Sequence, residues 1–349
     1  MPCRSSKCTK RRSDFTQESI GAKHTKTQDP TLVTPPIDIH LDLKVCLDAI
    51  WRAFYLKLPE EFAFFYEFCR SLNHNAPLDA FRKSLGLRLV GPFELINKNG
   101  KLPEEQSDIP LFYRYFHDPP EMVTIMVGSD GWHLGYFRDR PNDKPSLIVE
   151  SEPEKSGTLK IVGTSLFTVV RSLLAKRSPF RRLISLMDQF IKDKKYTFPE
   201  SDEVIKQRKK CCVCSTLNGI GLVVPLNGDI GYRPLEMTYA KLVSTLQSAV
   251  SASNEDKRLS YLEPIDELIT FSQFACDEGD FGQAIELGLC LLAFHPKDLP
   301  VDRANILNSR IKHLLSVGYE LAGCPEFATV IVSHMQNRPI SPPSSMFDP

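Results

Sequence analysis

FSQFACDEGDFGQAIEL, residues 271–287, reads as a helix, a tight acidic turn and a second helix. Ile265, Leu268, Ile269, Ser272, Ala275 and Cys276 recur at helical spacing and give the first helix one apolar face. Pro264 suits the first turn of such a helix, where its missing N–H costs nothing. In the second helix Phe281, Ala284, Ile285, Gly288 and Leu292 share a stripe with further apolar residues around it, which predicts a buried helix. Asp280 followed by Gln283 matches a capping box at the start of that helix, and Gly279 permits the reversal between the two. Asp277 and Glu278 have no such structural task. They fall where the first helix ends, beside its free carbonyls, and carboxylates there are unfavourable by roughly 0.3–1 kcal/mol each. Acidic turns between helices are common as plain solvated surface, but a local rule broken beside a buried helix pair marks a candidate functional position.

Composition narrows the field. The chain has 349 residues, enough for two domains, and its 42% hydrophobic and 25% charged content is that of a soluble globular protein. Lys+Arg and Asp+Glu balance at 43 each, so no global field draws the chain to nucleic acid or a membrane, and any such contact must be local. No apolar run approaches the about twenty residues of a membrane span. The start, MPCRSSKCTKRRSDF, is basic without an apolar core behind it, unlike a secretory signal. The ten cysteines are therefore read as reduced thiols of a nuclear or cytosolic protein.

Outward from the acidic turn, the expected fold class is α+β in two lobes between disordered tails. Residues 1–38 form a basic tail too poor in large apolar groups to order itself, with Lys10-Arg11-Arg12 as a candidate nuclear-import signal. Residues 39–200 form a mixed lobe. Leu43, Leu47, Ile50, Trp51 and Phe54 mark an amphipathic helix, and LKLPEEFAFFYEFCRSL places Phe62, Phe65, Tyr66 and Cys69 on one core-facing side. LRLVGPFEL, LFYRYFHD, MVTIMVG, WHLGYFRD, SLIVES and LKIVGT read as strands of a mostly antiparallel sheet, with Ser129-Asp130-Gly131 as a hairpin turn and LFTVVRSLLAK as a helix behind them. Residues 201–338 form a mainly helical lobe. Its helices fall at about 239–251 and 256–276, followed by the runs AIELGLCLLAF, ILNSRIKHLLSVGYELA and EFATVIVSHMQ, and Leu222-Val223-Val224 is a short strand near its start. Residues 339–349 are a loose tail.

Few motifs carry chemistry. No phosphate loop of either glycine-rich type is present. Cys3, Cys8 and His24 lack a fourth zinc ligand, and Cys211, Cys212 and Cys214 are too close together for paired chelating spacings. His117 and His133 have no partner at metal spacing, so they read as surface or satisfied core histidines. The basic run KQRKK, residues 206–210, fits either a solvated face or a phosphate contact. Tyr232 and Arg233 sit side by side on a loop after the turn residues Asn227, Gly228 and Asp229, and both residue types are enriched in binding hot spots. DFGQAIELG is similar to the start of a tetratricopeptide helix, yet no repeat of about 34 residues accompanies it.

Six stretches together are more specific than any of these. LKLPEEFAFFYEFC, SLGLRLVGPFEL, YFHDPPE, WHLGYFRDRP, GIGLVVPLNGDIGYR and FSQFACDEGDFGQAIELG resemble, in order and across nearly all of residues 40–338, the signature segments of the histone PARylation factor family. The resemblance implies an accessory factor of the DNA-damage response that works in the nucleus, on chromatin at lesions. It implies that the chain binds no NAD of its own, docks on the NAD-holding catalytic domain of a nuclear poly(ADP-ribose) polymerase, and redirects modification to serine on histones and on the polymerase. Poly(ADP-ribose) is a further candidate partner; membranes and sequence-specific DNA contacts are not expected. By position, Glu278 matches the family's catalytic glutamate and Asp277 the aspartate that supports docking. Tyr232 and Arg233 match its Tyr-Arg pair, the arginine lying near the polymerase's C-terminus, and Phe274 matches an interface phenylalanine. Gly279 stands where a cysteine is expected, and Leu217-Asn218 replaces Phe-His. The rival expectations are a helical interaction module without catalysis and a stand-alone hydrolase of ADP-ribose or NAD using Asp277 and Glu278.

Overall fold

The computed structural model describes residues 43–103, 111–176, 180–198, 200–340 and 347. All of them belong to one unit, Leu41–Pro349. The basic tail with Cys3, Cys8 and His24, and nearly all of the closing tail, lie outside the described residues.

The architecture is α+β. Two helices, α1 (Leu43–Phe54) and α2 (Glu61–Leu72), lead to the short α3 (Arg82–Leu85), β1 (Arg88–Leu89) and α4 (Pro92–Asn97). Four more strands follow, β2 (Met122–Val127), β3 (His133–Phe137), β4 (Leu147–Ser151) and β5 (Leu159–Gly163), and all five pair antiparallel in chain order. Between β2 and β3 the hairpin turns where expected, with Asp130 and Gly131 both at positive φ. Helices α5 (Leu166–Lys176) and α6 (Arg181–Asp193) complete this half. Its core is aromatic. Phe62 and Phe93 stack at 4.3 Å between centroids, and Phe65 meets Phe167 edge-on at 5.0 Å. All four core positions read from residues 56–72 are buried. Buried Glu61 holds the start of α5, its carboxylate accepting from the Ser165 hydroxyl at 2.5 Å and the Leu166 N–H at 2.7 Å. The second of these bonds satisfies a backbone donor that a helix start leaves open.

The second half is helical: α7 (Ser201–Cys211), α8 (Tyr239–Val250), α9 (Glu255–Asp277), α10 (Gly282–Ala293), α11 (Asn308–Leu321) and α12 (Pro325–Gln336). Every residue of α10 is buried, so it is the axis around which α9 and α11 pack. Gly288 makes the α10–α11 crossing possible, since a Cβ there would sit 2.6 Å from Leu315 Cγ. Buried cations tie the halves together. Arg138 donates to the carbonyls of Glu121, Phe54 and Tyr55 at 3.0–3.2 Å with its guanidinium over the Phe327 ring. Arg338 donates to the carbonyls of Phe116 and Leu292 at 2.8 and 2.9 Å.

Four local expectations change. LFYRYFHD, residues 111–118, forms turns and not a strand. The Asp118 carboxylate takes the Tyr115 N–H at 2.9 Å, offering the backbone an alternative to a sheet ladder. Leu222 makes only an isolated bridge with Cys214, and Pro225 has no N–H to extend it. Pro264 lies inside α9 and not in its first turn; that helix starts at Glu255, where Asn254 caps the Lys257 N–H at 2.9 Å. After Gly91-Pro92 the chain enters α4, with Pro92 opening the helix.

Candidate functional site

The acidic turn closes α9 as a glycine-terminated helix end. Gly279, at φ +93, donates to the Cys276 carbonyl at 3.0 Å, and the Asp280 N–H reaches the Ala275 carbonyl at 2.7 Å. This 5→2 and 6→1 pair satisfies carbonyls that the helix would leave open. The backbone is thereby fixed, and Asp277 and Glu278 are left pointing to solvent, the Glu278 side chain 60% exposed.

A second segment, 45–51 residues earlier, is brought against this turn. Arg233 pairs with the Glu278 carboxylate and, at 3.1 Å, with that of Asp280. The loop carrying Arg233 is fastened to the first turn of α10. The Gly231 N–H donates to Asp280 Oδ1 at 3.0 Å, Gly282 N–H to the Gly231 carbonyl at 2.9 Å, and Gln283 Nε2 to the Pro234 carbonyl at 2.9 Å. The capping-box expectation is therefore corrected. Phe281 occupies the N-cap with no side-chain bond, because the Asp280 carboxylate is engaged by the Gly231 N–H and the Arg233 cation. Those two partners take one carboxylate oxygen each.

Tyr232 turns inward. Its hydroxyl donates to Glu286 Oε2 at 2.9 Å, and the Tyr239 hydroxyl donates to Oε1 of the same carboxylate at 2.5 Å. Phe274, one turn before Glu278, is 57% exposed, as expected for a contact residue. Sequence reasoning missed its apolar company. Leu226 precedes the Asn227–Ile230 bridge and Ile230 is its second partner, both exposed, and Ile230 lies over Gly279. It also missed Glu286, although a single carboxylate inside the apolar run AIELGLCLLAF was a visible signal. The candidate residues 232, 233, 277 and 278 thus meet at the junction of one loop and one helix end.

Other candidates take structural parts. His133 is buried between Asp118 at 3.0 Å and the Gly131 carbonyl at 2.7 Å. His117 contacts the Leu292 carbonyl and His295, and burial beside Arg338 pushes its pKa down to about 3. In the KQRKK run Arg208 is buried in a forked pair with Asp139, so of its four cations only the three lysines face solvent, beside Gln207. Asn218, at the site of the Phe-His departure, braces a turn by accepting from the Thr216 hydroxyl and the Ile220 N–H. Among the described residues no group of three or more His, Cys, Asp or Glu side chains is placed to hold a metal ion. No helix among them is long and apolar enough to cross a membrane.

The family profile described as histone PARylation factor 1 matches residues 46–338, a span that contains the whole of this site. The chain belongs to the histone PARylation factor family. It is 32% identical to histone PARylation factor 1 of Danio rerio over 304 residues, covering 83% of this chain and 85% of the relative. It is likewise 32% identical to the proteins of that name from Mus musculus and Bos taurus, over 318 and 316 residues, in each case 86% of this chain and 88% of the relative. As a histone PARylation factor, the chain carries its acidic turn and its Tyr-Arg loop on one surface, with the loop anchored to the buried helix α10.

Proposed function

We propose that this histone PARylation factor completes the active site of a nuclear poly(ADP-ribose) polymerase and directs ADP-ribosylation to serine on histones and on the polymerase, with Glu278 as general base. The observation that carries the reading is the exposed Glu278 carboxylate at a fixed helix end, on the same surface as Tyr232 and Arg233. A carboxylate held out by a rigid element is suited to serve a reaction centre held by another protein.

The chemistry assigns one step to this chain. An acidic acceptor arrives ionised and needs no base, whereas a serine hydroxyl does. Glu278 takes the serine proton as the oxygen forms its bond to C1′ of the ribose and the bond from C1′ to nicotinamide breaks. A placed base contributes about 10²–10⁴-fold. Positive charge develops at C1′, and the same carboxylate stabilises it electrostatically. The partner binds the NAD. In the free chain Arg233 occupies Glu278, so this base is available only after the guanidinium is drawn off. Arg233 reaches both Glu278 and Asp280, and a carboxylate of the partner would compete for it with the planar, forked geometry arginine favours. Asp277 then meets a cation or imidazole of the polymerase, and Phe274 makes apolar contact. The nucleus, and chromatin at DNA lesions, is where this activity would be used.

One observation favours a second reading. Because Arg233 pairs with Glu278, the carboxylate has a partner already and can be read as half of a surface ion pair in a helical interaction module without catalysis. Incubation with NAD, a nuclear polymerase and a histone peptide separates the two. Serine modification only in the full mixture, lost in Glu278→Gln with binding retained, supports the composite site. Binding without any change of acceptor residue leaves the module, and NAD turnover by the chain alone would point to a hydrolase.

A further inference from the structure

Glu286 is a carboxylate that the proposed reaction does not use. It is 3% exposed, on a helix whose other residues are also buried, and no ion pair with a cation is seen for it among the described residues. Burying a carboxylate without a cation is costly, and an apolar residue of similar size would fill the space at less cost. Its compensation is two phenol donors, the Tyr232 hydroxyl on Oε2 and the Tyr239 hydroxyl on Oε1. Burial raises the pKa of Glu286, with the two phenols opposing it. Burial also holds both phenols protonated, so both remain donors at neutral pH.

The two phenols differ in what they carry. Tyr239 opens α8 and leads to nothing in the site. Tyr232 is joined through one peptide bond to Arg233, whose side chain lies out on the surface against Glu278. The segment 231–234 is held to α10 along its length: Gly231 by Asp280 and Gly282, Pro234 by Gln283, and Tyr232 by Glu286. The outer bonds fix where the loop runs. The Tyr232–Glu286 bond is the polar tie that fixes the side chain next to the arginine, whose ring also packs against the helical core, and so which way residue 233 faces. We infer that Glu286 is a positioning residue that, through the Tyr232 hydroxyl, holds the loop in the one arrangement that presents Arg233 on the face of the acidic turn. The docking half of this inference rests on the proposed function; the placement half is a property of the free chain.

The test uses the full chain with Glu286→Gln, Tyr232→Phe, Tyr239→Phe and Arg233→Ala. Tyr232→Phe keeps the ring and so tests the bond even if Glu286→Gln folds poorly. Two quantities are read: amide hydrogen exchange of residues 231–233 in the free protein, and the dissociation constant for the polymerase catalytic domain. Loss of this buried hydrogen bond is expected to speed exchange and weaken docking by about tenfold each in Tyr232→Phe and in Glu286→Gln. Tyr239→Phe should leave both within about twofold, because that phenol reaches the arginine only through Glu286, whose Oε2 bond to Tyr232 it leaves in place. In an Arg233→Ala background, Tyr232→Phe should no longer change docking, a coupling that a merely structural role would not produce. Equal effects of Tyr232→Phe and Tyr239→Phe, unchanged exchange in Tyr232→Phe, or an undiminished docking effect without Arg233 would overturn the inference. If Arg233→Ala itself leaves docking intact, the proposed function fails at that point, and the exchange measurement still decides the role of Glu286.

Discussion

Glu278 owes its exposure to the residue that follows it. Gly279 takes φ +93, and a Cβ there would stand 2.8 Å from Ile230 Cγ2. Gly279→Ala is therefore expected to destabilise the chain by about 1–2 kcal/mol in a denaturant titration. It should also disturb serine modification, because the helix end that aims Glu278 must shift. Cysteine, which the resemblance leads one to expect here, would meet the same left-handed backbone and the same methyl group. Asp277 and Glu278 were legible in the sequence because they break a local rule, acid beside free carbonyls, and such conflicts survive in strands of evidence as short as one turn. The task of Asp280 was not legible. A capping box is judged over four residues, whereas the backbone donor that claims its carboxylate, Gly231, lies 49 residues away. Tyr232 was legible as a residue type but not as a buried anchor, since nothing local reveals that its hydroxyl meets Glu286.

At the scale of elements, the long amphipathic helices and the β2–β3 hairpin were readable from their periods and turn residues. The failures share a cause. LFYRYFHD alternates like a strand but is folded by the Asp118 side chain and by burial around His133, which Tyr115 stacks upon at 3.9 Å. Period alone cannot separate such a run from a strand. Pro264 looks like a helix start, but Asn254 had already begun the helix one capped turn and more before it. The joint between elements rests on Arg138, whose guanidinium serves carbonyls at the end of α1 and before β2. Arg138→Leu keeps the apolar contact with Phe327 and the backbone bond from residue 138 to the Glu121 carbonyl, but takes the guanidinium donors from the Phe54 and Tyr55 carbonyls. Its expected cost is about 3 kcal/mol or more, read as a lowered denaturation midpoint at unchanged slope.

At the scale of the molecule, the joint between the two cores carries a titration. Glu121, fully buried and accepting from the Tyr319 hydroxyl at 2.6 Å, has its pKa raised by burial to about 7 from 4.5. The folded state thus holds this proton more tightly than the unfolded chain. Its contribution to stability is complete below about 4.5 and is lost as pH rises through about 7. Glu121→Gln, which mimics the protonated acid, should gain stability relative to the parent chain between pH 5 and pH 8, by an amount on the order of 1–3 kcal/mol in thermal or chemical unfolding. A difference independent of pH would contradict it. The acidic turn and its Tyr-Arg loop sit on this framework as a fixed surface, from which Glu278 is proposed to act as the base for serine. The direct measurement is mass-spectrometric mapping of acceptor residues on a histone after reaction with NAD and a nuclear poly(ADP-ribose) polymerase, in the presence of the parent chain or of Glu278→Gln, at concentrations where both are shown to be bound. The account predicts serine acceptors with the parent chain and their loss with Glu278→Gln. Serine modification at the parent rate by the bound Glu278→Gln chain would contradict it.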